Sequence, residues 1–193
     1  MPLMTMPTRE QVDPEVRALW DECERTYPAF KHLWATQANS PIIFRHVWGQ
    51  LLELKRRSPV AARHFEIGIV VASALNRCRY CVSHHAPLAE DHDFPQRAGF
   101  AIDDSLAIDL AYFLVWSGIY PHAADVHPRV VQRLRRRLLG RLREHFSERQ
   151  VEELTWRIVQ CVAFNWHNDF FELDLEPEVT PRETTVERPA SRL

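Results

Sequence analysis

The chain has 193 residues, 24 Lys plus Arg against 26 Asp plus Glu, a formal net charge of −2 and 46% hydrophobic content. That is enough apolar material for one packed domain, and the near balance of charge excludes a general attraction to nucleic acid or to a membrane surface. No apolar run reaches the roughly 18 residues of a membrane span, no apolar leader follows Met1, and four cysteines with one close pair fit a reducing cytoplasm, so a cytoplasmic protein is expected.

Only five glycines interrupt long periodic segments, which predicts an all-α single domain of about seven helices. Asp13-Pro14 reads as a cap followed by proline at the first helical position, opening a helix to about Thr26. A short helix over Phe30 to Gln37 follows. Ser40-Pro41 starts the next, which runs to about Arg57 with Ile43, Val47, Leu51 and Leu54 on one face. Ser58-Pro59 repeats that start signal and opens a helix carrying Glu66. A motif helix from about Cys78 comes next, then a loop from about 91 to 103 rich in Pro and Asp. Asp104 to Tyr120 is a strongly apolar helix, and Pro128 opens a basic one to about Phe146. Ser147 with Gln150 forms a capping box for the last long helix. The domain is expected to span 1–175, and 176–193, without apolar periodicity, to form a mobile tail.

Glu66 to His85 carries the chemistry. Cys78 and Cys81 lie three apart, His85 four beyond the second, and Glu66 twelve before the first, inside an apolar run. A close cysteine pair without a disulfide framework points to redox chemistry or metal. At about 100° per residue, Cys81 lies about 60° and His85 about 20° from Cys78, so the three line one stripe. His84 falls about 120° away and reads as packing or surface. On one unbroken helix Glu66 would stand about 18 Å from Cys78, so the chain must fold back, with Asn76 and Arg77 as the break. A fresh helix start would then place Cys78 where the macrodipole favours thiolate. Pro87 makes this helix short or bends it after His85. Among apolar neighbours, a desolvated Glu66 carboxyl is expected to have a raised pKa and to exchange protons. The alternative is an ion pair with Arg63 at i−3. Cys23 and Cys161 read as buried small hydrophobes.

The pattern Glu66, Cys78, Tyr80, Cys81 and His85, with Arg63 and Asn76, resembles the alkylhydroperoxidase D-like branch of the carboxymuconolactone decarboxylase family. Weaker similarity covers about 40–92 and 147–172. The resemblance implies an AhpD-like helical fold and a thiol peroxidase or thiol–disulfide oxidoreductase without a cofactor. Glu66 and His85 would form a proton relay that activates one thiol toward a small hydroperoxide, ending in a Cys78–Cys81 disulfide. An external dithiol reductant, lipoyl or thioredoxin-like, would then regenerate the pair. It also implies a homo-oligomer, trimer or hexamer, with sites near subunit contacts. Some members carry His between the cysteines where this chain has Tyr80, so the relay here is shorter or uses the phenol.

Three other readings compete. Cys78, Cys81 and His85, with His84, offer ligands for zinc, although no second ligand pair is spaced for it. A lactone decarboxylase or isomerase of the same family needs no second thiol. A scaffold would retain the motif only as packing. The arginines from Arg129 to Arg143 surround a stripe of Val131, Leu134, Leu138 and Leu142. They are read as a solvated helix face, with some pairing to Asp103, Asp104 or Glu152 across a subunit contact.

Overall fold

A computed structural model of the chain describes residues 3–89, 101–119 and 127–183. Among these residues it is all-α, with eight α-helices: α1 Arg17–Thr26, α2 Lys31–Gln37, α3 Pro41–Arg57, α4 Ala62–Leu75, α5 Arg79–Ala89, α6 Ile102–Ile119, α7 Pro128–His145 and α8 Glu148–Phe170. Two 3-10 turns, Pro14–Val16 and Pro28–Phe30, lead into α1 and α2. Asp13 therefore caps a 3-10 turn, its carboxylate accepting from the Glu15 N–H, and the α-helix proper begins three residues later than the cap signal predicts.

Most other boundaries follow their side-chain chemistry. The Ser40 hydroxyl accepts from the Ile43 N–H at the start of α3, and Ser147 and Gln150 make the reciprocal capping box of α8. Ser58-Pro59 does not open α4. The Ser58 hydroxyl donates to Glu153 at 2.5 Å and accepts from the Val60 N–H, so it closes a turn, and the helix starts at Ala62. The expected loop at 91–103 falls partly outside the described residues, and α6 begins at Ile102 rather than Asp104.

The core has two centres. Trp20, Trp34, Phe44 and Trp48 gather α1, α2 and α3 around one, and Ile67, Leu106, Leu154 and Ile158 join α4, α6 and α8 in the other. Each fully buried side chain of this size contributes about 1.5–3 kcal/mol relative to exposure. Gly68 lets α4 and α8 approach closely: a Cβ there would lie 2.7 Å from Ile158 Cδ1. Cys78, Tyr80 and Cys81 belong to the first centre. Arg63 does not pair with Glu66. Its Nε donates to Asp104 at 2.6 Å, tying α4 to α6, and His64 stands 3.4 Å from the same carboxylate.

The basic helix α7 turns Leu142 inward, with Leu138 and Leu139 partly buried against the second centre. Three of its basic side chains pair within the chain: Arg141 with Asp109, Arg143 with Glu148, and His145 with Asp103. The far end of the chain differs from expectation in one respect. Glu176, placed in a mobile tail by composition, is only 3% exposed, and residues 184–193 lie outside the described part.

Candidate active site

The fold-back predicted at Asn76 and Arg77 is a Schellman turn. The Cys78 N–H reaches the Ser73 carbonyl at 2.9 Å and the Arg77 N–H the Ala74 carbonyl at 3.1 Å. Arg77 occupies the left-handed position with φ 59°, where glycine is usual. The chain re-enters helix at once, with the Val82 N–H on the Cys78 carbonyl at 3.1 Å. Cys78 thus stands at the cap of α5, and its sulfur accepts from the Cys81 N–H at 3.5 Å. Pro87 lies inside α5, which is 11 residues long.

The hairpin of α4 and α5 brings Glu66 and His85 together. His85 Nδ1 lies 2.6 Å from Glu66 Oε2. A carboxylate only accepts, so the ring proton belongs on Nδ1, and in the neutral ring Nε2 keeps its lone pair. The contact is direct and involves neither the phenol of Tyr80 nor His84. Burial does push the Glu66 carboxyl upward, as its apolar neighbours predict. The charge and hydrogen bond of His85, helped by Arg157 and Lys55, outweigh burial and leave the carboxyl below its ordinary value.

The neighbouring histidine serves a different pair. His84 is buried, with Nδ1 2.6 Å from the Tyr80 carbonyl and Nε2 2.6 Å from Glu176 Oε2. Both nitrogens are engaged with acceptors, so neither is free to face a thiol or the pocket. Glu176 also accepts from the Tyr80 hydroxyl at 2.8 Å and from the His32 N–H at 2.7 Å. Burial raises the Glu176 carboxyl, but these donors, His84 first, bring it below its ordinary value. Tyr80 is pushed well up by burial and by the Glu176 charge. This cluster fastens the chain after α8 to the back of the motif helix.

Beside the Glu66–His85 pair lies a pocket. Tyr27, Phe30, Leu33, Trp48, Leu51 and Phe164 form its apolar wall, and Tyr80, Cys81, His85, Arg157 and Cys161 its polar end. Phe30 packs on both histidine rings, each centroid 4.9 Å away. Cys81 opens onto this pocket; Cys78 does not line it. Its neighbours Cys161 and Cys78, and then burial, push the Cys81 thiol well above its ordinary value. Cys81 in turn draws Cys78 and Cys161 downward against burial. All four cysteines are free thiols. Cys23, by contrast, is an isolated buried thiol pushed up to about 12 by burial.

Two amides on α8 complete the thiol environment. Asn168 Nδ2 donates to the Cys81 sulfur at 3.3 Å. Asn165 Nδ2 donates to Ser73 Oγ at 3.1 Å and to the Cys161 sulfur at 3.6 Å, while its own carbonyl accepts from Asn76 Nδ2 at 2.8 Å. Sequence reasoning passed over Asn165, Asn168 and the polar role of Cys161. Their spacing, i, i+4 and i+7, puts all three on one stripe of a helix, and polar residues on an otherwise apolar stripe were the available signal. Among the described residues no group of three or more His, Cys, Asp or Glu is arranged to hold a metal ion.

No family model matches this sequence, and no curated protein is similar to it. Solved structures are. An uncharacterized peroxidase-related protein from Silicibacter sp. TM1040 superposes with a TM-score of 0.64 at 14% identity, over 92% of this chain and 93% of that one. An uncharacterized peroxidase-related protein from Ralstonia eutropha JMP134, described as an alkylhydroperoxidase AhpD core, superposes with a TM-score of 0.62 at 18% identity, over the same shares. The fold is that of the alkylhydroperoxidase AhpD core. Identities this low establish shared architecture alone. No helix among the described residues is long and apolar enough to cross a membrane.

Proposed function

We propose that this protein is a thiol peroxidase that reduces an organic hydroperoxide at the Cys78–Cys81 pair and is regenerated by an external dithiol. The observation that carries this reading is that Cys81 and His85 line one pocket, with His85 held from behind by Glu66. His85 Nε2 takes the Cys81 proton while Glu66 steadies the resulting imidazolium. The Cys81 sulfur attacks the terminal oxygen of the hydroperoxide and the O–O bond breaks. The alkoxide leaves as the alcohol with the proton from His85, and Cys81 becomes a sulfenic acid. Cys78 then attacks that sulfur, water departs with the Cys78 proton, and the disulfide forms. A lipoyl or thioredoxin-like dithiol returns two electrons and two protons by exchange. Access assigns the attack to Cys81, although Cys78 is the easier thiol to ionise.

A second reading, conversion of a small lactone acid without redox chemistry, draws on Arg157, whose buried Nη1 has no hydrogen-bond partner and would meet a substrate carboxylate in the same pocket. Replacing Cys78 and Cys81 together by Ser separates the two. Turnover of cumene hydroperoxide with a lipoyl or thioredoxin reducing system disappears under the peroxidase reading, and retention of that turnover would sink it.

Self-association is part of the proposal. Trp156, Val159, Trp166 and Phe170 share one face of α8 and are 40–73% exposed. An apolar stripe of that kind suits a subunit contact.

A further inference from the structure

We propose that Cys161 is a third redox thiol of this site, positioned to form a disulfide with Cys81 as an alternative to the Cys78–Cys81 bridge. Three observations place it there. Cys161 lines the same pocket as Cys81 and His85. The amides of Asn165 and Asn168, one turn apart on α8, donate to the Cys161 sulfur at 3.6 Å and to the Cys81 sulfur at 3.3 Å. It is also held by polar groups, with Ser73 Oγ at 3.2 Å and Asn165 Nδ2 at 3.6 Å, although only 1% of the residue is exposed. A cysteine serving only as a small hydrophobe requires none of these contacts, and Cys23 lacks them.

Cys81 is thus flanked by two sulfurs, one at the cap of α5 and one on α8. This step rests on the peroxidase reading for its oxidant. A Cys81 sulfenic acid condenses with the Cys161 thiol, water leaves, and a Cys81–Cys161 bridge results. The Cys78 thiolate then attacks the Cys81 sulfur and displaces Cys161, giving the Cys78–Cys81 bridge at the same oxidation level. The depressed Cys161 pKa makes it a good leaving group. The consequence is an oxidising equivalent that moves from the α8 side of the pocket to the start of α5 before the reductant takes it.

The test is a peptide map of Cys78→Ser after one equivalent of cumene hydroperoxide, and in parallel after equilibration in oxidised and reduced dithiothreitol. A loss of two hydrogens mapped to Cys81–Cys161 under both conditions is expected. A Cys81 sulfenic acid trapped by dimedone, with no bridge in either, overturns the inference while leaving the peroxidase reading standing. A bridge formed in dithiothreitol buffer but not with hydroperoxide keeps Cys161 as a redox thiol and removes the peroxidase reading. Wild-type protein quenched at early times provides a check independent of how well the variant folds. A Cys81–Cys161 bridge that decays into Cys78–Cys81 is expected there, and Cys78–Cys81 alone at every time contradicts it.

Discussion

Glu66 and Glu176 are two buried-edge carboxylates each paired with one of two adjacent histidines, and the geometry divides their duties. His85 has a nitrogen left to exchange protons and His84 does not, so loss of Glu176 should act on stability rather than on chemistry. Glu176→Gln is expected to cost about 1–3 kcal/mol, the usual penalty for disturbing a buried hydrogen-bonded group. The effect depends on pH with a definite sign. The native Glu176 pKa lies below the ordinary 4.5, so its contribution is complete above that value and is lost as the pH falls through the native one. Thermal unfolding of wild type and variant from pH 7 to 3 should therefore show a gap that closes on the acid side. A gap that is constant over this range would mean that the charge of Glu176 is irrelevant. The fold-back at Asn76 and Arg77 was legible from spacing, and the Glu66–His85 pairing was what the family resemblance implied. Glu176 was not, because it lies 92 residues from His84 in a segment with no periodicity to place it.

At the scale of elements, the site exists because α4 reverses into α5 and both lie against α8. Start signals made of Ser, Pro and Gln located α3 and α8, since those side chains bond backbone within their own turn. Ser58-Pro59 misled because Glu153, far along the chain, claims the hydroxyl, and no local pattern records such a partner. Close packing of α4 on α8 is concentrated at Gly68. Gly68→Ala places a methyl group against Ile158 and is expected to destabilise by about 1–3 kcal/mol through overpacking, reversing the small gain that Ala normally brings to a helix interior. Chemical denaturation measures this directly. A Gly68→Ala protein more stable than wild type would show that the two helices are not in close contact.

The whole molecule presents an AhpD-core fold with an apolar stripe on the outer face of α8, the same helix that carries Cys161, Asn165 and Asn168 on its inner face. Self-association through that stripe would buttress the thiol cluster from behind. Trp166→Glu, a charge at the centre of the stripe, is expected to convert the assembly to monomer in sedimentation velocity, whereas an unchanged oligomer would place the contact elsewhere. The all-α class followed from glycine scarcity and periodicity, while the expected count of about seven helices falls one short of the eight among the described residues. Periodicity reports only that a face is apolar and does not say what covers it.

The most direct test of the central claim is the rate at which fully reduced protein loses two hydrogens after one equivalent of an organic hydroperoxide, followed by intact mass and mapped by peptide. We expect rapid formation of a Cys78–Cys81 bridge, slowed about 10²-fold or more by Glu66→Gln or His85→Ala, the range of a lost general base. No bridge in wild type, or one formed no faster than a free thiol reacts in solution, would contradict a thiol peroxidase activated by the Glu66–His85 pair.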